Sequence, residues 1–295
     1  MKKIWKIAAL GAVAGAVWMD NHLLQTTHYT VCSPILPQPF WGYKIVQLSD
    51  LHATKFGKEN DKLLRAVRRE KPDAVVLTGD MVNKNSWDFS SFFSLLFPLA
   101  AEFPCYFIEG NHEQRLTPLL YQRLKTTILK SGTKILENQK IPLLKGNEKI
   151  DLYGMVMPMR YYRYSHDILR ESIYFTEKRM EELLGKPEDG CFSILLAHNP
   201  LYFPTYSRWG ADLTLCGHMH GGAVRLPGGK GLLSPERKFF PKYTAGKFYR
   251  GNRVMIVNRG LGDSLGGLRM FNRPEIVSIT LAPSDVAQNG AVKEN

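Results

Sequence analysis

The order of local signals along this chain predicts an α/β fold in which several strand ends converge. Short apolar or β-branched runs of strand length occur at Lys44–Leu48, Ala74–Leu77, 105–108, 192–196 and Leu213–Cys216, each closed by Gly or a polar residue. Stretches with helical spacing of apolar residues lie between them, at 59–71, 90–101, 117–130 and 166–184. Strand and helix alternating in this way points to sheets covered by helices. The 295 residues are 44% hydrophobic, and no linker, repeat or low-complexity tract divides them after about residue 40, so one large core is expected.

The first element is a signal-type segment. Lys2, Lys3 and Lys6 precede an unbroken apolar run at 7–19, which Asp20-Asn21-His22 closes. The run is shorter than the roughly 20 residues that span hydrocarbon, but Ile4, Trp5 and a snorkelling Lys6 extend it into a thin anchor. Its small-residue triplets, 12–14 and 14–16, fall inside the apolar run and make poor cleavage sites, so an uncleaved anchor is favoured over a cleaved signal. Leading lysines predict a cytoplasmic N-terminus and a catalytic domain outside the cell membrane. An N-terminal strand and linker (23–42), the main domain (43–283) and a polar tail (284–295) follow. In the helix at 59–71, Leu63, Leu64 and Val67 form the apolar face. Cys105, Cys191 and Cys216 are read inside apolar strands and Cys32 ahead of the domain, so all four are expected as free thiols.

Behind the strands stand the informative blocks, in fixed order: Asp50-Leu51-His52, Gly79-Asp80, Gly110-Asn111-His112-Glu113, Ala197-His198-Asn199-Pro200 and Gly217-His218-Met219-His220-Gly221-Gly222. Any one of them is an ordinary turn or cap. Five, each after its own strand, spell a dinuclear metal site, with Asp80 as the bridging carboxylate and imidazoles and an amide oxygen filling the remaining positions. On an extended strand end, residues i and i+2 point the same way, which would aim His218 and His220, and likewise Asp50 and His52, at adjacent ions. Glu113 is read as an exposed structural loop carboxylate.

Together these blocks resemble the calcineurin-like metallophosphoesterase superfamily, from about residue 43 to 281. The ending Asn258-Arg259-Gly260-Leu261-Gly262-Asp263-Ser264, with Arg269 and Pro274-Glu275-Ile276, resembles its bacterial membrane- or wall-associated branch, some of whose members cleave the pyrophosphate of a UDP-diacylated glucosamine. The resemblance sharpens the fold to a two-sheet β-sandwich flanked by helices. It implies that Asp50, His52 and His220 hold one metal, Asn111, His198 and His218 the other, and Asp80 both. His112 is then the catalytic residue over the scissile phosphate, as proton donor or stabiliser of the leaving oxygen. Met219 and Ala223 depart from the family pattern, where a small hydroxyl residue and a Gln are usual. Two divalent ions so held acidify a shared water, so no separate base or covalent intermediate is needed. Oxygen and nitrogen donors without thiolate favour Mn, Fe or Zn over calcium.

The net charge of +12 attracts nucleic acid, anionic membrane or anionic substrate alike. Its basic residues are dispersed and no nucleic-acid module appears, so nucleic acid is not expected as a partner. The expected partners are a phosphorylated small-molecule or lipid substrate and an anionic membrane surface. The aromatic-basic stretches at 160–164 and 238–243 suit a lipid interface or the packing of long loops. A non-catalytic scaffold would lack part of the ligand set; here all seven ligands and His112 are present. A nuclease would announce itself by salt-dependent DNA binding with turnover.

Overall fold

The computed structural model describes residues 11, 15, 21, 23–163, 174–222, 224–226, 229, 231–232, 239–262 and 269–284. Twelve strands build two six-stranded sheets. The first contains β1 (Gln25–Cys32), β2 (Lys44–Leu48), β3 (Ala74–Leu77), β4 (Cys105–Phe107), β5 (Lys134–Ile135) and β12 (Glu275–Ala282), in the order β1-β12-β2-β3-β4-β5. The second contains β6 (Gln139–Lys145), β7 (Glu148–Met155), β8 (Ser193–Ala197), β9 (Leu213–Cys216), β10 (Gly246–Arg250) and β11 (Arg253–Val257), in the order β10-β11-β9-β8-β7-β6. In each sheet the central strands are parallel, so their C-terminal ends open on the same edge.

Residue alternation explains the layering. Along β2 to β4, Ile45, Ala74, Val76 and Tyr106 face the other sheet, where they meet Leu152, Ile194, Leu196, Leu215 and Ile256. Their neighbours Val46, Leu48, Val75, Leu77 and Phe107 face outward onto helices. Strands buried on both faces need unbroken apolar runs, which is why AVVL, SILLA and LTLC lack the polar alternation of a solvated sheet. Helices α1 (Asp61–Glu70), α2 (Ser90–Glu102) and α3 (Pro118–Lys130) cover the first sheet. A short turn α4 (Arg160–Arg163) with α5 (Glu177–Leu184) and α6 (Phe203–Trp209) covers the second. The result is the expected two-sheet sandwich flanked by helices.

Details differ from the sequence expectation. The helix expected at 166–184 begins only at Glu177, because the Thr176 side chain accepts from Arg179 N and caps it there; 174–176 are not helical, and 164–173 lie outside the described residues. Cys191 precedes β8 and is half-buried rather than lying in a strand, and all four cysteines are free. The chain before residue 43 is part of the fold, since β1 pairs in parallel with β12 along its whole length. Most of the expected anchor, the polar tail, Asp263, Ser264 and Ala223 lie outside the described residues. Among the described residues, no helix is long and apolar enough to cross a membrane.

Candidate metal centre

Every expected ligand sits just beyond the C-terminal end of a parallel strand: Asp50 and His52 after β2, Asp80 after β3, Asn111 after β4, His198 after β8, His218 and His220 after β9. The backbone there is not extended. Asp50, His52, Asp80, His218 and His220 all have left-handed φ, between 46° and 71°. The i, i+2 argument from a straight strand is therefore corrected: β9 ends at Cys216, and tight left-handed turns aim the two imidazoles. Each such residue costs on the order of 1 kcal/mol or more, a cost that persists only where surrounding contacts enforce it. Gly79 shows how tight the turns are. It has φ 89°, and a Cβ there would lie 2.5 Å from Gly110 N and 2.9 Å from His198 Nδ1.

The ligand atoms converge as two groups. Asp50, His52 and His220 form one, Asp80, His198 and His218 the other, each with its donor atoms within 4.8 Å of one another. A third group, His52, Asp80 and His112, links them, so Asp80 belongs to two groups. His220 Nε2 lies 3.4 Å from Asp50 Oδ1 and 3.1 Å from His52 Nε2, while His198 Nε2 lies 3.2 Å from Asp80 Oδ2 and 3.9 Å from Asp50 Oδ1. Asn111 is buried, and its Oδ1 has no protein partner.

These donors fit divalent cations. His198 Nδ1 is 2.7 Å from Thr78 O, so its N–H is directed at that carbonyl and the Nε2 lone pair is left toward the carboxylates. An orphaned amide oxygen, two imidazole nitrogens at the separation of two donors on one ion, and two carboxylates in a fully buried site ask for positive charge. In the protein alone a proton supplies it. Burial opposes a charge on His198, but Asp80 and Asp50 outweigh it and raise that imidazole to about 10. Burial also pushes Asp80 up, yet His198, His112 and His52 hold it well below the usual carboxylate range. Burial raises Asp50, with Asp80 adding to the effect. It lowers His52 to about 3 and His220 well below the usual imidazole range, leaving both as neutral donors.

Glu113 is the clearest correction. It is fully buried, and its carboxylate accepts the N–H groups of Asp80, Met81, Val82 and Gly110 at 2.9, 2.7, 3.2 and 2.9 Å. It thus clamps the turn that presents Asp80 to the turn that presents Asn111. Burial and the Asp80 charge push it up to about 8, against the Gly110 and Asp80 N–H groups, which favour the carboxylate. A Glu two residues past Asn111 was the visible signal; its burial was not.

Three other contributors have roles that the sequence did not reveal. Arg269 is buried and donates to the carbonyls of Arg259, Gly260, Gly262 and Asn272, gripping the loop that packs against Asp50. Asn272 Nδ2 donates to His220 O and Gly222 O. Tyr162 is buried with its ring 5.2 Å from that of His218 and 6.2 Å from that of His198. Tyr161 is buried as well, so at 160–162 the rings are core, whereas Phe239 and Phe240 stay exposed. The remainder of the 160–164 stretch, and Lys238, lie outside what the structure describes at side-chain level.

His112 stands over the groups on the solvent side. Its Nδ1 accepts from Lys84 N–H at 3.3 Å, so the proton sits on Nε2, which is 4.0 Å from Asp80 Oδ2. A cleft of about 380 Å³, lined by Asn83, Lys84, Asn85, Ser86 and Trp87, opens beside it.

A helix-flanked two-sheet sandwich with two adjacent buried donor groups, linked through His52 and Asp80, defines a dinuclear metal hydrolase. Residues 43–222 match the Calcineurin-like phosphoesterase family model, and the chain belongs to that family. It is therefore a metal-dependent phosphoester hydrolase. In sequence it is similar to the uncharacterised metallophosphoesterase YkuE of Bacillus subtilis, 29% identical over 93% of this chain and 91% of that one. It is also similar to phosphodiesterase YaeI of Escherichia coli, 30% identical over 81% of this chain and 82% of that one. Among solved structures it is similar to phosphopantetheinyl hydrolase of Mycobacterium tuberculosis, 14% identical over 73% of this chain and 89% of that one, with a TM-score of 0.43.

Proposed function

We propose that the protein hydrolyses a phosphodiester or pyrophosphate bond in an amphiphilic, envelope-associated substrate, with two divalent ions held by the seven side chains described above. Asp50, His52 and His220 hold one ion, Asn111, His198 and His218 the other, and Asp80 both. The observation that carries this reading is the pair of donor groups linked through His52 and Asp80, with the Nε2–H of His112 facing them. When bound, the ions supply an acidified water and neutralise phosphoryl charge. The side chains supply the rest: Glu113 and Arg269 hold the ligand turns, and the neutral His112 offers its Nε2–H as a hydrogen bond that stabilises the charge on the departing oxygen. Lys84 N–H keeps that proton on Nε2.

A leaving alkoxide or phosphate oxygen gains more from a positioned hydrogen-bond donor than a leaving phenolate does, which favours an unactivated diester or pyrophosphate. The relative named as a phosphodiesterase supports the same class. The apolar run at 7–19, the charge of +12 and the likeness of residues 258–276 to the membrane- or wall-associated branch support an anchored enzyme with its domain outside the membrane. The pyrophosphate of a nucleotide-linked lipid is one concrete substrate. The test compares Mn-, Fe- and Zn-loaded protein on bis-nitrophenyl phosphate, nitrophenyl phosphate and nucleotide-diphosphate lipids. Faster turnover of diester or pyrophosphate than of monoester is expected; a monoester preference overturns the reading.

A further inference from the structure

We propose that Leu226, Phe239, Phe240 and Phe271 form a lipid-docking face that seats the mouth of the metal centre on an anionic bilayer. The proposal rests on the membrane-associated reading above and identifies the surface that makes the contact. Phe239, Phe240 and Phe271 are 71%, 61% and 62% exposed, and Leu226 is 38% exposed. Scattered exposed apolar residues are normal, but these belong to one connected set of loops. Val224 bridges to Met270, Arg225 N donates to Met270 O, Leu232 N to Val224 O, and Phe240 N to Leu232 O.

Two further features set these loops apart. Phe240 and Phe271 have φ of 51° and 53°, a left-handed conformation that costs a bulky residue about 1–2 kcal/mol, and a ring more than half exposed recovers little by burial. The loop is also joined to the chemistry, because Asn272, next to Phe271, donates to the carbonyl of the ligand His220 at 2.7 Å.

The occupant is indicated by the N-terminus and by charge. Asn21 is pinned to Arg269 by a reciprocal pair, its Nδ2 donating to Arg269 O and its Oδ1 accepting from Arg269 N, both at 3.1 Å. Asn21, which follows the apolar run in sequence, is thus held against Arg269, two residues from Phe271. Gly11 and Gly15 within that run are helical and exposed, and a Cβ on either would meet nothing within 4 Å. Residues 225–273 hold eleven basic and two acidic side chains, so most of the net +12 resides here. An exposed apolar tip on a basic stretch of chain, joined through Asn21 to the residues that follow an apolar run, is the pattern of an interfacial contact with anionic lipid.

The test uses the full-length chain carrying Phe240→Trp or Phe271→Trp, with Leu119→Trp on α3 as the control, mixed with vesicles of phosphatidylcholine and phosphatidylglycerol containing brominated acyl chains. Expected is bromine quenching at 240 and 271 beyond that of the unsubstituted chain, and none added at 119. The Phe240→Ser/Phe271→Ser double variant should retain turnover of bis-nitrophenyl phosphate and lose about tenfold on a phosphodiester embedded in the vesicle, reflecting two rings withdrawn from lipid. Chain that sediments with vesicles yet shows no added quenching at 240 and 271 overturns the docking face and leaves anchoring intact. Chain that does not sediment overturns both. Emission at 240 and 271 that shifts with protein concentration instead of lipid assigns the patch to a second copy and overturns the proposal.

Discussion

The two sheets contribute to the metal centre in different ways. The first supplies Asp50, Asp80 and Asn111, all the oxygen donors, together with His52; the second supplies only imidazoles, His198, His218 and His220. Their supports differ accordingly. The Asp80 and Asn111 turns are held from below by one buried carboxyl group, Glu113, through four N–H groups. The Gly260–Gly262 loop against Asp50, and through Asn272 the His220 turn, are held by one buried cation, Arg269, through carbonyls. At the ligand edge, polar contacts join the two sheets: His218 N donates to Asp50, His198 Nδ1 to Thr78 O, and Gln47 Nε2 to Cys216 O. Each sheet orients the other's ligands, so neither half of the centre is expected to be correctly formed without the other.

The largest expected effect comes from Asp80, the residue proposed to hold both ions. Asp80→Ala should eliminate both ions and all turnover, whereas Asn111→Ala should leave one ion per chain, as measured by elemental analysis; equal losses in the two variants would deny Asp80 its bridging place. His112→Asn comes next, with metal content unchanged and turnover lower by about 10²–10⁴. The loss should be smaller for nitrophenyl than for alkyl leaving groups, and an equal loss for both would mean that His112 contacts the non-bridging phosphoryl oxygens instead of the departing one.

The two supports can then be set against each other. Glu113→Ala strands four buried N–H groups and should cost on the order of 3 kcal/mol in urea unfolding while weakening both ions. Arg269→Met should weaken the ion held by Asp50 and His220 by about 10–100-fold and spare the other. Calorimetry showing the same pattern for both variants would mean that the supports are not separable.

The smallest effect concerns protons. His198 is raised to about 10, so at neutral pH the metal-free protein carries a proton that an ion must displace. Metal loading should release at least one proton at pH 7, measured by calorimetry in buffers of different ionisation enthalpy, and apparent affinity should rise with pH toward about 10. In the metal-free protein the same raised pKa contributes stability that is complete below about 6.5 and lost as pH rises through about 10. Release of no proton would show that His198 is already neutral.

Sequence alone determined the α/β class, the strands whose ends meet at the donor groups and the side chains gathered there, because each candidate ligand lies within a few residues of an apolar run whose periodicity is local. It also marked the C-terminal Gly-rich block and Arg269 as distinctive, without revealing their task. Tertiary structure decided the rest. Left-handed turns at Asp50, His52, Asp80, His218 and His220 replace the extended geometry that spacing suggested, since backbone φ there is enforced by neighbours such as Gly110 and Gly260 rather than by residue type. Glu113 became a buried clamp and Tyr161 and Tyr162 became core, because burial depends on what the other sheet and its helices bring over them. The partners that aim His198 and His220 are 120 and 52 residues away in the chain, a separation at which hydrogen bonding leaves no periodic trace in sequence.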